Sequence, residues 1–400
     1  MDVEDLVAFL IKRGIDKDQV KLLVAFLASL RKGLDKESSL NLSEGIVEDV
    51  SQALSSLREF KPRELGVKAG EGGLGSRGYG DQRIHDVLTT LSSPGDAYTV
   101  DDLVLAADGF HSRLSQVPLL MGFHASRASM RDVMVSGGLP IAVLIDVHVA
   151  DDTDVSYVID VSIGSKVAAE GCGAKFAGGS TLRIGGDLVW GSRVTGGSFA
   201  VGRRVREWSR FSGKPGDVLC ATVGKGGGTI TAIALSYNMD DLARLTVNLD
   251  FCEEIREVFK LDYVRGAFDW TNGGILLDAY EISQASGVRV DLSESVYEAV
   301  HPLLRRRLEE LGLDPLAISV DSIVFIGSKC PPRTIEIGKI SEGKGVYLEG
   351  RPLELGFREA PYTRSKRAVE SIRKEVKKEE LIEYLREREE MLRSMLNDSS

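Results

Sequence analysis

Cysteine is scarce and never paired at short range. Cys172, Cys220, Cys252 and Cys330 are the four thiols of a 400-residue chain. None stands at CxxC spacing, so neither a zinc site nor a redox pair is signalled. Scattered thiols without a secretory segment fit a reducing compartment. The start, Met1-Asp2-Val3-Glu4-Asp5, has no positive n-region, and no apolar run approaches the ~18 residues of a membrane span. A cytoplasmic protein with no membrane partner is expected. Positive charge is also in deficit: 50 Lys and Arg face 60 Asp and Glu, a net charge of −10. That argues against nucleic acid or an anionic membrane as partner. It leaves ATP open, because backbone N–H groups and a metal can hold phosphate in an acidic protein.

What is abundant is glycine, at 43 residues, in a chain that is 43% hydrophobic and 28% charged. Such a composition describes a globular protein long enough for two domains plus extensions. Residues 1–60 read as a helical extension, with Val3, Leu6, Val7 and Leu10, then Val20, Leu23, Leu27 and Leu30, at helical spacing. Lys/Glu-rich ends fit a thermophile. Between Gly70 and Gly80 six of eleven residues are glycine. This segment is expected to be a flexible loop, either a phosphate cradle or a mobile linker. It is neither GxxxxGK[ST] nor a strand–GxGxxG–helix unit.

Leu103–Asp151 reads as strand, short helix, strand: Leu103–Ala107 ends in Asp108, Ser126–Gly138 carries Asp132, and Leu139–Asp146 follows. Acids at a strand end and inside a helix suit a cation held beside polyphosphate; a buried βαβ unit with solvated acids is the plainer account. His111 is a donor or acid–base candidate next to Asp108, whereas His124 reads as structural. Asp151, Asp152 and Asp154 read as caps for a helix from Val155. Lys175–Ala177 is a short strand ending in Gly178-Gly179-Ser180-Thr181. A second α/β unit starts at Lys214, with strands at Val218–Val223, Ala317–Ile326 and Thr334–Ile337 and a glycine run at Gly224–Gly228. There Lys225 could touch a phosphate or sit in a hairpin. From Thr363 the chain is charged and helical. Its apolar stripe could pair with a partner helix or pack on its own domain.

The ordered set of motifs resembles the aminoimidazole-ribonucleotide synthetase (PurM-like) superfamily of ATP-dependent enzymes. The set runs from the glycine-rich loop through Asp96, Asp108 and Asp132 before Gly137-Gly138-Leu139-Pro140. Gly178-Gly179, Lys214-Pro215-Gly216-Asp217, Asp269…Gly273-Gly274 and Gly338 complete it. The second half is similar to the hydrogenase-maturation carbamoyl dehydratase, through Asp269-Trp270-Thr271-Asn272-Gly273-Gly274 and Leu311–Leu316. The resemblance implies two α/β domains, 61–205 for ATP binding and dimerisation and 206–357 for the second unit, with a charged helical tail at 358–400. The first domain would form a dimeric β-barrel with its copy.

By resemblance, ATP and Mg2+ are the cofactors and Asp96, Asp108 and Asp132 the metal ligands. Gly72, Gly73, Gly75, Arg77, Gly78, Asp132, Gly178 and Gly179 would contact the nucleotide, and Asp108, His111 and Lys68 are catalytic candidates. The implied activity is phosphoryl transfer to, or dehydration of, a small molecule or protein-bound group. The chain departs from each named relative. It has no cysteine in Lys68–Asp81 and none at its end. Ala97 follows Asp96 where thiamine-monophosphate kinases have a second acid, and Ser180 stands where an acid is usual, with Asp187 as a nearby replacement. A divergent, archaeal-type branch fits, and a non-catalytic ATP-binding or assembly protein is the alternative reading.

Overall fold

The computed structural model describes residues 1–91, 95–185, 188–369 and 372–398. Asp187 lies outside them. Three helices open the chain, α1 (Val3–Lys12), α2 (Lys17–Lys32) and α3 (Lys36–Ser55). Each starts where an aspartate, Asp2, Asp16 or Asp35, accepts from free N–H groups of the first turn. Their apolar faces close on Val7, Val24, Ala28 and Val47 together with Trp190 from the next unit. Lys32 pairs with Asp151 and Asp152, and Arg31 reaches Asp152 at 3.1 Å. Asp151 and Asp152 therefore anchor the helical extension rather than cap a helix. Asp154 does take the capping role, accepting from the Ser156 N–H at 2.9 Å.

After α4 (Ala69–Gly72) and α5 (Tyr79–Leu88) comes a sheet of β1 (Tyr98–Val100), β2 (Leu103–Gly109), β3 (Gly138–Val149), β4 (Lys175–Arg183) and β5 (Val194–Arg204), in the order β1-β2-β5-β3-β4. The strand–helix–strand reading of Leu103–Asp151 survives with two changes: the helix expected over Ser126–Gly138 is the longer Pro118–Val135, and β5 lies between β2 and β3, antiparallel to both. Helices α6 (Pro118–Val135) and α7 (Ser156–Gly171) pack together beside this sheet. The strand expected to stop before Gly178-Gly179 continues through them to Arg183. The other face of the sheet carries exposed Tyr98, Leu144, Leu182 and Phe199.

The second unit is a seven-stranded sheet ordered β12-β11-β8-β10-β6-β9-β7. Its strands are β6 (Val218–Ala221), β7 (Val264–Asp269), β8 (Arg289–Leu292), β9 (Ile323–Gly327), β10 (Ile335–Ser341), β11 (Gly345–Leu348) and β12 (Arg351–Leu353). Its helices are α8 (Gly228–Tyr237), α9 (Asp240–Leu245), α10 (Asp250–Val258), α11 (Gly274–Ser286) and α12 (Pro302–Glu310), and α13 (Arg364–Ala368) and α14 (Lys378–Asp398) end the described chain. Gly224–Gly228 leads into α8 instead of forming a hairpin, and Lys225 pairs with Asp250 at 2.5 Å. One apolar cluster joins the two units: Met130, Val133 and Met134 of α6 bury against Phe251, Ile255, Ala267 and Phe325. Helix α6 is thereby wedged between the sheets, buried almost along its whole length.

The cysteines are not scattered in space. Cys172 is bonded to Cys252 and Cys220 to Cys330, with Cα–Cα separations of 5.5 and 5.4 Å. The expectation of unpaired thiols is corrected: partners 80 and 110 residues apart leave no local spacing to read. Among the described residues no helix is long and apolar enough to cross a membrane.

Candidate functional site

Burying α6 forces its polar residues to find partners inside the protein. Arg131 donates to Asp269 at the end of β7 (2.9 Å) and forms an ion pair with Asp321 (2.6 Å), and Arg127 pairs with the same Asp321 carboxylate. Arg127 also donates to the Asn248 carbonyl at 2.9 Å. On the adjoining side Arg210, in the connection between the two sheets, meets Asp96 at 2.7 Å and Glu281 at 2.6 Å, with Asp278 3.6 Å away. Arg77 of the glycine-rich segment reaches Glu281 at 3.4 Å and Asp278 at 3.6 Å. A continuous charged field thus runs between the units, drawing on both.

Carboxylates outnumber guanidiniums in that field. Burial pushes the Asp108 carboxyl up to about 7, with Asp269 and Asp321 adding to the rise and Arg131 opposing it. Burial likewise lifts Asp96 to about 6 against the pull of Arg210. Asp132 is raised well above the carboxylate range by burial and by its neighbours Asp269, Asp108 and Asp96. Asp278 is raised too, by burial, and both its oxygens lack a hydrogen-bond partner among the described residues. Asp321 behaves oppositely: against the cost of burial, Arg131 and Arg127 hold it well below its usual range.

The sequence candidates divide. Asp96, Asp108 and Asp132 face the same field and interact electrostatically. Among the described residues no three carboxylates, imidazoles or thiols form a group able to hold a metal by themselves. Asp269 and Asp321 are additional members. Asp269 was visible only as the first residue of a motif, and Asp321 carried no signal. Arg77 belongs to the field, but Lys68 does not. Its ammonium is exposed and pairs with Glu64 at 3.0 Å. His111 meets the Tyr362 hydroxyl at 3.3 Å, and burial lowers it to about 4. His124 contacts Thr231 and Thr246 at 2.9 and 3.2 Å and is lowered to about 3 by burial, as a structural histidine should be. Gly178, Gly179 and Ser180 lie within β4, at the edge of the first sheet.

The glycine-rich segment is not a free loop. Gly72 is buried at the end of α4, Gly73 caps it, and Gly78 caps α5. The N–H groups of Gly75 and Arg77 donate to the buried Asp81 carboxylate at 3.0 and 3.2 Å, so Asp81 occupies the nest expected to cradle phosphate. A cavity of about 470 Å³ opens between α5 and α11, bordered by Arg77, Asp96, Arg210, Tyr280 and Glu281.

Two α/β units with an acid-rich seam between them define the class. The chain is 34% identical over 416 residues to an uncharacterized protein of Methanocaldococcus jannaschii, covering 92% of this chain and 91% of the relative. It is 26% identical over 285 residues to the thiamine-monophosphate kinase of Aquifex aeolicus, covering 64% and 87%. No family model matches. Among solved structures it resembles the Aquifex aeolicus thiamine monophosphate kinase, with TM-score 0.55, 23% identity, and 68% and 97% of the two chains covered. The E. coli hydrogenase maturation protein HypE gives TM-score 0.54, 19% identity, and 70% and 98% covered. The kinase AaThiL complexed with AMPPCP and TMP gives 0.57, 23% identity, and 74% and 97% covered. The chain belongs to one family with the Methanocaldococcus jannaschii protein, and its further homologues and its fold are those of the PurM-like superfamily.

Proposed function

We propose that the chain is an ATP- and Mg2+-dependent enzyme of phosphoryl transfer, or of ATP-driven dehydration, acting on a small molecule or protein-bound group. The carrying observation is the excess of carboxylates at the seam, where burial and neighbouring acids raise Asp108 and Asp132 above the usual carboxylate range. An all-oxygen donor set of that kind fits magnesium, which takes one or two carboxylates and leaves its other positions to water and phosphate oxygens. Asp108 and Asp132 would hold the metal, and Asp96, already bound to Arg210, would border it. Bound there, magnesium would offset the charge that develops on the transferred phosphoryl group. Arg77 of the glycine-rich segment, which reaches Glu281 and Asp278 in the same field, would meet the polyphosphate. The cavity between α5 and α11 offers the acceptor a place beside the same field. The AMPPCP complex of AaThiL, a superfamily relative of the same fold, supports the nucleotide.

The same reading includes a homodimer through the bare face of the first sheet. Leu144 and Phe199 stand opposite each other in register there, and both are exposed. A non-catalytic assembly role is less well supported. The tail that would dock a partner folds back on its own chain, with Arg388 donating to the carbonyls of Glu59 and Phe60 at 2.8 and 2.7 Å. Calorimetry with AMPPCP and magnesium tests the proposal. Binding to the native chain, lost in Asp108→Asn with Asp132→Asn, is the expected result. No binding to the native chain would refute the enzyme reading, and binding unchanged in the double variant would refute the ligand assignment.

A further inference from the structure

The glycines between Gly70 and Gly80 have a second explanation, independent of phosphate. The chain beyond β12 returns across this segment and hydrogen bonds to it like a short added strand. Tyr79 N–H donates to the Gly356 carbonyl at 3.1 Å and Gly80 N–H to the Phe357 carbonyl at 3.2 Å. In return Glu359 N–H donates to the Ser76 and Arg77 carbonyls at 2.7 and 3.1 Å. The approach is close enough to require glycine. A Cβ on Gly78 would lie 2.7 Å from the Phe357 carbonyl oxygen, and one on Gly80 would lie 2.8 Å from the Phe357 ring. A Cβ on Gly70 or Gly75 would meet nothing within 4 Å. The Phe357 ring also stands edge-on to Tyr79, with centroids 5.0 Å apart.

The returning segment is itself tied down at several points. Arg358 donates to the carbonyls of Gly70, Glu71 (3.3 Å) and Ile372 (2.6 Å). Lys374 N–H donates to the Glu71 carbonyl at 2.9 Å, and Arg83 pairs with Glu375 at 2.6 Å. Lys366 pairs with the buried Glu359 carboxylate and stands 3.8 Å from the centre of the Tyr362 ring. Ser365 accepts from Arg113 at 2.9 Å, and Arg367 donates to the Leu311 carbonyl at 3.2 Å, so both units hold the strap. Arg77, which this segment carries to Asp278 and Glu281, adopts a left-handed backbone (φ 48°). Strain of that kind persists only where the surroundings fix it.

We propose that Phe357, Arg358 and Glu359 are positioning residues: they clasp the glycine-rich segment closed before any nucleotide arrives, and so set Arg77 against the acidic seam. The clasp stands on the contacts above. Its effect on nucleotide affinity rests on the ATP reading, and the two are measured separately.

The clasp is tested on the nucleotide-free, full-length protein, by trypsin cleavage after Arg77 and by hydrogen exchange over 69–80. The native segment is expected to be protected. Phe357→Ala and Arg358→Ala should each raise cleavage about tenfold, as loss of local hydrogen bonds and packing lowers the opening free energy. Phe357→Leu and Arg358→Lys should restore protection, and exchange in β9 should stay unchanged throughout. Should Phe357→Ala unfold the chain, Arg358→Ala decides, since that side chain keeps one end at the surface. Free-loop exchange in the native protein, or unchanged cleavage in the variants, overturns the clasp. AMPPCP affinity should then fall in Arg358→Ala and return in Arg358→Lys. An opened segment with unchanged affinity overturns the positioning role while leaving nucleotide binding intact, whereas no binding by the native chain refutes the ATP reading alone.

Discussion

Arg131 and Asp269 meet 2.6 Å apart with both side chains almost wholly buried, and they join α6 of the first unit to the end of β7 in the second. Arg131 serves Asp321 at the same time. Removing its charge leaves buried Asp269 with only Arg210, 3.8 Å away, and buried Asp321 with only Arg127. Arg131→Met should therefore cost about 3–5 kcal/mol, far more than loss of a surface pair. Urea denaturation of the two proteins, with slopes compared as well as midpoints, measures it. A loss under about 1 kcal/mol would mean that water reaches the seam and that the buried network is not what couples the units.

The raised carboxyl of Asp108 makes stability depend on pH in a direction opposite to that of ordinary salt-bridged acids. Its value rises from an ordinary 3.8 to about 7 in the folded chain. Between those values the folded protein keeps a proton that the unfolded chain has released. The contribution is full below the lower value and is lost as pH rises through about 7. Asp96 acts likewise, up to about 6. The stability of Asp108→Asn relative to the native protein should consequently climb from acid toward pH ~7 and then level off. Urea midpoints across that range, without metal or nucleotide, provide the check. A constant difference would show that folding does not raise the Asp108 carboxyl.

Much of this architecture could be read from residue order. The N-terminal helices followed from their periodicity, and Asp108 and Asp132 were legible because a strand end and a helix both carried acids. What stayed hidden depends on long-range pairing. Asp321 looks unremarkable until Arg127 and Arg131 turn toward it. The glycine-rich segment looked mobile because glycine-rich composition cannot show that residues 356–359, nearly 280 positions later, lie against it. Asp81, six residues beyond Gly75, takes the backbone N–H groups assigned to phosphate, and only the fold of the segment reveals it.

The disulfides offer a separate test. Cys172 closes the end of α7, and its partner Cys252 lies in α10 of the second unit, 80 residues on, so this bond crosses between units. Loop closure of that length stabilises by about 4 kcal/mol through the unfolded chain. Cys172→Ser with Cys252→Ser should lose about that much, read from denaturant midpoints under non-reducing conditions. Thiol titration of the unfolded but unreduced native protein should find no free cysteine. Four reactive thiols would restore the expectation of a chain with unpaired cysteines.

The bare face of the first sheet gives the last prediction. Leu144 and Phe199 are opposed on β3 and β5, Tyr98 stands on β1, Leu182 lies on β4, and all four are exposed. The helices pack on the opposite side and leave Leu144, Leu182 and Phe199 exposed. Contiguous apolar patches on a sheet mark association surfaces, and a self-complementary patch favours a two-fold dimer. Light scattering on the purified protein should give twice the chain mass. Leu144→Asp with Phe199→Asp should reduce it to the chain mass, because a carboxylate on each side of a closed interface loses its water without gaining a partner. The exchanged residues point away from the core of their own unit, so circular dichroism should be unchanged. A native monomer, or a dimer that tolerates both aspartates, would show that this face serves another purpose.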